Sequence, residues 1–348
     1  MVRTAFAVIA LLFCVVPSAP AQQRYDSTYI KSYKDKFFAW PVAKHRELTF
    51  SLEDPGTSGR AIEFKPNNAY GLGMGVYMFD LGLEFVFGMP QTQDRENLYG
   101  TTRATDLQLN ILSRRWGGDI VYQRYKGYYL SNPEPPVQPG SPYPQRPDIV
   151  TENLGINGIY AFNAHRFSLR SSFTFADRQL KSAGGFVIAG SFNLYEMDGD
   201  SAILNPFYKS FLGQTQSFNS LDFRTYAIAP GYAHNFIIKE NFFASVLLAI
   251  GPAIQDFRFL DTNGEFHTDT RVNSYFDFRA AIGYSNDKFF TGITLSSQSR
   301  NVVFEDVRFR SISTTGRILF GWRFTEWGFL KRSVWELLPP WGKKKEIH

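Results

Sequence analysis

Between Asn67 and Gly88 the chain reads NNAYGLGMGVYMFDLGLEFVFG, with a period of two. Tyr70, Leu72, Met74, Val76 and Met78 alternate with Gly71, Gly73, Gly75 and Tyr77. After Phe79 and Asp80, Leu81, Leu83, Phe85 and Phe87 alternate with Gly82, Glu84 and Val86. An extended strand sends successive side chains to opposite faces. Each run therefore has one large apolar face and one small or polar face. The two are close enough to pair as a hairpin. Each has roughly the 9–11 residues that a tilted strand needs to cross a bilayer. In a water-soluble sheet the apolar face must meet a second layer. In a closed barrel it meets lipid, and the small residues face a lumen.

Composition favours the barrel. Aromatic residues make up 17% of the chain, with 34 Phe and 18 Tyr, yet mean hydropathy is −0.23. Past the N-terminus the longest apolar run, Phe242–Ile250, is about half the length of a membrane helix. A barrel needs apolar residues only at alternate positions, and aromatic girdles mark its two interfaces.

Residues 1–21 read as a signal peptide: Arg3, an apolar stretch from Ala5 to Val16, and Ala19-Pro20-Ala21 before a cut after Ala21. The one cysteine, Cys14, lies inside it, so the mature chain has no disulfide framework and no thiolate site. The net charge of +5 is scattered apart from Lys343–Lys345. With a signal peptide, that argues against a nucleic-acid partner.

Residues 22–44 form a polar lead-in, either periplasmic or tucked into the lumen, and 45–325 form the barrel. Strands are expected over His45–Leu52, Arg60–Lys65, the hairpin above, Thr105–Ile111 and Ile120–Leu130. Ser131–Asp148 holds seven prolines and is a long exposed loop. Leu154–Phe162 and Phe167–Phe175 form a hairpin around Asn163–Arg166, with Phe167, Leu169, Phe173 and Phe175 on one face. Further strands cover Phe186–Leu194, Leu221–His234, Asn241–Ile254, Arg271–Tyr284, Phe289–Ser297 and Ser311–Phe324. The fold class is thus all-β: a single antiparallel transmembrane β-barrel of about 12–14 strands.

The expected strands conflict with barrel parity at one point. Barrels keep short turns at one end and long loops at the other. Counting back from the last strand puts the short turn Asn163–Arg166 among the long loops, and the proline-rich loop among the short turns. Either a strand within Ala202–Leu212 is missed or one strand is split. The tail 326–348 carries Trp327, Trp335 and Trp341 with its lysines, and reads as an interfacial anchor or a short periplasmic tail.

Five stretches carry a resemblance: YDSTYIKSYKDKF (25–37), IEFKPNNAYGLGMGVYMFDLGLEFVFG (62–88), KGYYL (126–130), RPDIV (146–150) and RFSLRSSFTFADRQLKSAGGFVIAGSF (166–192). With these the chain resembles an uncharacterised domain-of-unknown-function family of Bacteroidota-type outer-membrane β-barrel proteins. The resemblance implies an envelope barrel and no particular reaction.

No HExxH, GxSxG, Walker A or GxGxxG-plus-helix motif is present, so no catalytic, cofactor-binding or metal residue is assigned. Gly71–Gly75 read as strand glycines. The acidic loops Glu196/Asp198/Asp200 and Asp261/Asn263/Glu265 lack the spacing of an EF-hand and read as solvated charge. The inward polar set is Asp106, Asn110, Arg170, Asp277, Arg279, Arg317 and Arg323, with Tyr77, Tyr122 and Tyr226 also turned inward. Charges inside a membrane barrel must be hydrated or paired. They therefore serve either a pore's selectivity or a closed barrel's salt bridges. The expected role is a non-enzymatic outer-membrane pore, transporter or envelope scaffold, with membrane lipid and the barrel-assembly machinery as partners. The alternatives are an outer-membrane hydrolase, which needs Ser, His and a carboxylate brought together in space, and a soluble periplasmic β-protein that binds a ligand or partner.

Overall fold

The fold is described from a computed structural model, which covers residues 25–325 apart from 34–35, 55, 57–60, 69, 79–80, 212–216 and 305–306. The expected signal peptide and the Trp-rich tail lie outside the described residues. Fifteen strands are described. They are β1 (Ile30–Ser32), β2 (Lys36–Glu53), β3 (Ala61–Lys65), β4 (Gly71–Met78), β5 (Leu81–Gly88), β6 (Arg103–Leu112), β7 (Trp116–Leu130) and β8 (Gln145–Ala161). After them come β9 (Asp177–Gln179), β10 (Ala183–Asp198), β11 (Phe218–Ile238), β12 (Phe242–Asp261), β13 (Phe266–Ser285), β14 (Phe289–Phe304) and β15 (Val307–Thr325). Three short helices interrupt them: α1 (Gln93–Tyr99), α2 (Arg170–Phe173) and α3 (Pro206–Phe211). No described helix is long and apolar enough to cross a membrane.

Thirteen strands form one antiparallel sheet, and β15 pairs back onto β2 to close it. The closed ring consists of β2, β3, β7, β8 and β10–β15, ten strands in all. β2 starts at Lys36, earlier than the expected His45. β3 bridges β2 and β7 near one end only, through Phe50–Glu53 on β2 and Tyr129–Leu130 on β7. Below it the wall is wider. There β4 pairs with β2, β5 with β4, and β6 with β7. The Asn67–Gly88 hairpin forms as its periodicity predicts, from Met78↔Leu81 to Gly71↔Gly88. Its glycine face makes room inside: a side chain at Gly75 would collide with the buried indole of Trp40.

The outward face carries an apolar belt. Ile282, Ile293 and Ile318 are successive cross-strand partners on β13, β14 and β15, each more than half exposed. Leu109, Ile120 and Ile156 continue such a rung through β6, β7 and β8. An exposed ring of this size calls for an apolar solvent.

One strand assignment is corrected. Phe167–Phe175 is not a strand; it folds back into the lumen around α2, and a short two-stranded sheet of β1 and β9 follows. The period of two fails at its centre, where Ser171 sits at a position that should be apolar. Removing this strand resolves the conflict in strand parity. The proline-rich segment now lies at the end of the barrel where β2 stops at Glu53 and β10 at Asp198, the loop end. The turns 113–115, 239–241 and 286–288, together with the 162–182 segment, gather at the other, the turn end.

Candidate functional site

The lumen is filled in three layers. At the loop end an aromatic roof is built by inward side chains of the wall itself. Phe50 stacks on Phe64 at 4.8 Å and on Phe309 at 5.7 Å, and Tyr195 stacks on Phe223 at 4.7 Å. All five are at most 4% exposed. At about 150–250 Å² per ring, such burial is a substantial hydrophobic gain.

The middle layer is polar. Asp106 on β6 forms an ion pair with Arg46 on β2 and accepts hydrogen bonds from Gln123 (3.1 Å) and Tyr125 (2.8 Å). Asn110 accepts from Gln108 at 2.9 Å. Arg279 bridges Asp277 (3.1 Å) and Asp119 (3.3 Å). Asn157 donates to Asp119 (2.7 Å) and accepts from Ser191 (2.8 Å), and Asn153 donates to Gln123 (2.9 Å). Arg300 differs from its neighbours. It is buried, donates to Ser191 and Gln298 at 3.2 Å each, and lies over the Tyr275 ring at 5.6 Å. Among the described residues no carboxylate lies within ion-pair distance of it. A layer of this kind holds only while each partner is present.

The third layer is a plug at the turn end, made of residues 162–182 and the N-terminal segment 25–33. Asp177 is its anchor. The carboxylate accepts from Arg114 (3.0 Å), from Arg170 (2.9 Å) and from the Ser168 hydroxyl (2.7 Å), with no exposure to solvent. Burial alone would raise its pKa; the guanidinium groups of Arg170 and Arg114 outweigh burial and bring it down to about 2. Two wall residues latch the plug backbone. Arg317 forms an ion pair with Glu84 (2.9 Å) and donates to the Phe173 carbonyl (3.0 Å). Arg323 donates to the Phe175 carbonyl (2.8 Å) beneath the ring of Tyr33, 4.1 Å away. Between plug and wall, a cavity of about 10 Å³ bordered by Ser171, Arg178, Gln179 and Phe243 is about the size of a single water molecule.

The seven residues expected to face the lumen therefore fall in two groups. Asp106, Asn110, Asp277 and Arg279 belong to the polar layer; Arg170, Arg317 and Arg323 hold the plug. Arg170 lies on α2 and not on a strand. Tyr77 points inward and stacks on Phe38 at 4.9 Å. Tyr122 and Tyr226 do not: each belongs to the outward face, beside Leu107 and Phe192 respectively. Sequence reasoning missed Asp119, Asp177, Arg46 and Arg114. Asp177 lies in a stretch read as a connection, and Arg114 in a turn. Arg46 alternates with His45 and Glu47, so polarity gave it no distinct face.

Other chemistry is sparse. Among the described residues no histidine hydrogen-bonds a serine hydroxyl. His267 approaches Asp261 at 3.4 Å, and Asp261, Glu265 and His267 place one ligand atom each within 4.8 Å of one another. Asp261 already caps its own turn, accepting from the backbone of Glu265 (2.8 Å) and Asn263 (2.9 Å).

A family model described as Domain of unknown function (DUF4421) matches residues 24–324. No curated protein matches the chain. Among solved structures, the chain is similar to the attachment invasion locus protein Ail of Yersinia pestis. Identity is 9% over 83% of this chain and 99% of that one, with a TM-score of 0.24. It is also similar to OmpT, an outer membrane protein of Vibrio cholerae (9% identity, 81% and 97% covered, TM-score 0.28). A third is the Pseudomonas putida toluene transporter TodX (7%, 83% and 89% covered, TM-score 0.22).

Proposed function

The chain belongs to the DUF4421 family, a domain of unknown function, and on that premise we propose that it is an outer-membrane barrel with a closed lumen, an envelope scaffold and not a standing diffusion pore. The apolar belt supports the membrane part of this reading, because alternate residues of β12–β15 present large apolar side chains outward. The observation that carries the closed part is the double obstruction. An aromatic roof and an anchored plug stand in series, with a charge-paired layer between them. A water-filled channel would leave such charges hydrated; here Arg46 answers Asp106, and Arg279 answers Asp119 and Asp277.

Conductance in a planar bilayer tests the reading. The refolded wild type, shown to be inserted by heat-modifiable gel migration, is expected to be silent. Removing the plug alone leaves the roof in place and is expected to stay silent. Discrete, stable openings by the intact wild type would overturn the closed reading.

A further inference from the structure

Among the described residues, the ladder around the wider half of the barrel is interrupted once. β5 and β6 lie side by side, yet among the described residues no backbone pairs join them. Each is paired on its other side only, β5 with β4 and β6 with β7. The seam faces outward between Phe85 and Phe87 on β5 and Leu107 and Leu109 on β6, all exposed. Bare backbone donors and acceptors are costly in hydrocarbon, by several kcal/mol per group.

The outer face changes character just above these rungs. Moving along β6 toward the loop end, Leu107 pairs with Tyr122, Thr105 with Arg124, and Arg103 with Lys126. Two like charges directly opposite each other on one face repel. Arg124 has Glu152 at 3.8 Å. Among the described residues neither Arg103 nor Lys126 has a carboxylate within ion-pair distance, and both are exposed. An apolar cleft with unpaired backbone thus ends at two unanswered cations, at the height where the belt gives way to polar surface.

Resting on the membrane reading above, we propose that the β5–β6 seam binds one anionic lipid of the surrounding bilayer. Its acyl chain lies along Phe85, Phe87, Leu107 and Leu109, and its phosphate sits between Arg103 and Lys126. The topology disfavours a partner strand as the occupant. β5 and β6 run in opposite directions, so any single strand inserted between them would pair parallel with one of the two, in a sheet that is otherwise antiparallel throughout. A lipid has no such constraint. Its phosphate also removes the repulsion between Arg103 and Lys126.

The experiment compares refolded barrels in nanodiscs of mixed phosphatidylcholine and phosphatidylglycerol, with insertion verified first by heat-modifiable migration. Retained lipid is read by native mass spectrometry. The wild type is expected to keep one phosphatidylglycerol in preference to phosphatidylcholine. R103Q/K126Q is expected to lose that preference by about tenfold or more. R271Q, at an exposed arginine paired with Asp269, should leave it unchanged. If the double variant does not refold, L107W on the outward face reports instead. Its fluorescence, taken as the difference from the wild-type tryptophans, should be quenched more by brominated-chain phosphatidylglycerol than by the phosphatidylcholine analogue. Equal retention by wild type and R103Q/K126Q, or equal quenching by the two lipids, overturns the proposal while the membrane reading stands. A wild-type chain that inserts into neither bilayer overturns both.

Discussion

Replacing Asp177 by Asn should release the plug without melting the barrel. In the wild type one buried carboxylate accepts from Arg114, Arg170 and Ser168. An amide has one oxygen in place of two and turns an N–H toward a guanidinium. Two buried cations are left uncompensated. Breaking a buried pair in this way costs about 3–5 kcal/mol. The cost falls on the plug, because both Arg170 and Asp177 belong to the 162–182 segment and only Arg114 belongs to the wall connection. The wall ladders are untouched, so the opening is local. Arg170 is itself the reporter: it is 7% exposed, and trypsin reaches it only when the plug leaves. With opening fast relative to cleavage, the rate of cutting after Arg170 follows the open population. At 1.4 kcal/mol per factor of ten, even the lower cost raises that rate by about a hundredfold.

The same carboxylate predicts a pH dependence. Its pKa in the fold, about 2, lies below the value of 3.8 for an exposed aspartate. Its contribution is therefore complete above about pH 4 and is lost as pH falls toward 2. The shift amounts to about 2 kcal/mol. With pepsin as the acid-active protease, wild-type plug cleavage should rise through that window, and the D177N rate should stay flat. A D177N barrel cut by trypsin after Arg170 no faster than wild type would refute the anchoring role.

Two further substitutions probe the rest of the lumen. R279M strands Asp277 and Asp119 and should lower the unfolding free energy by about 3 kcal/mol or more, whereas R300M, whose parent has no carboxylate in contact, should cost clearly less; urea titration of the refolded barrels separates the two, and equal losses would count against the pairing described. G75L should push Trp40 off Glu84, which its indole N–H meets at 3.2 Å, shift its emission to the red and cost about 1–3 kcal/mol by overpacking; an unchanged spectrum would show that the glycine face is not what accommodates the indole.

What could be read from the chain before folding follows from how each feature is encoded. The wall is encoded locally: a strand with lipid outside and a lumen inside writes its period of two into ten consecutive residues, and Gly71–Phe87 or Phe276–Tyr284 carry it plainly. The plug is encoded differently. Phe167, Leu169 and Phe175 are buried on all sides, not on one face, so their spacing imitates a strand while their environment is that of a core. Local pattern cannot separate these cases, but two signals could have. Ser171 breaks the alternation at the turn of helix that forms there. The parity of the barrel breaks as well, since one false strand exchanges the long-loop end for the short-turn end over everything before it. The charges are harder still. Asp177 meets Arg114 across 63 residues and Arg317 meets Glu84 across 233, so neither pair has any signature in sequence spacing. Sequence could say that inward charges must be paired; only closure of the sheet decides with whom. That closure takes Arg317 and Arg323, which sequence left between a pore's selectivity and a closed barrel's salt bridges, and bonds them to the backbone carbonyls of Phe173 and Phe175 in the plug.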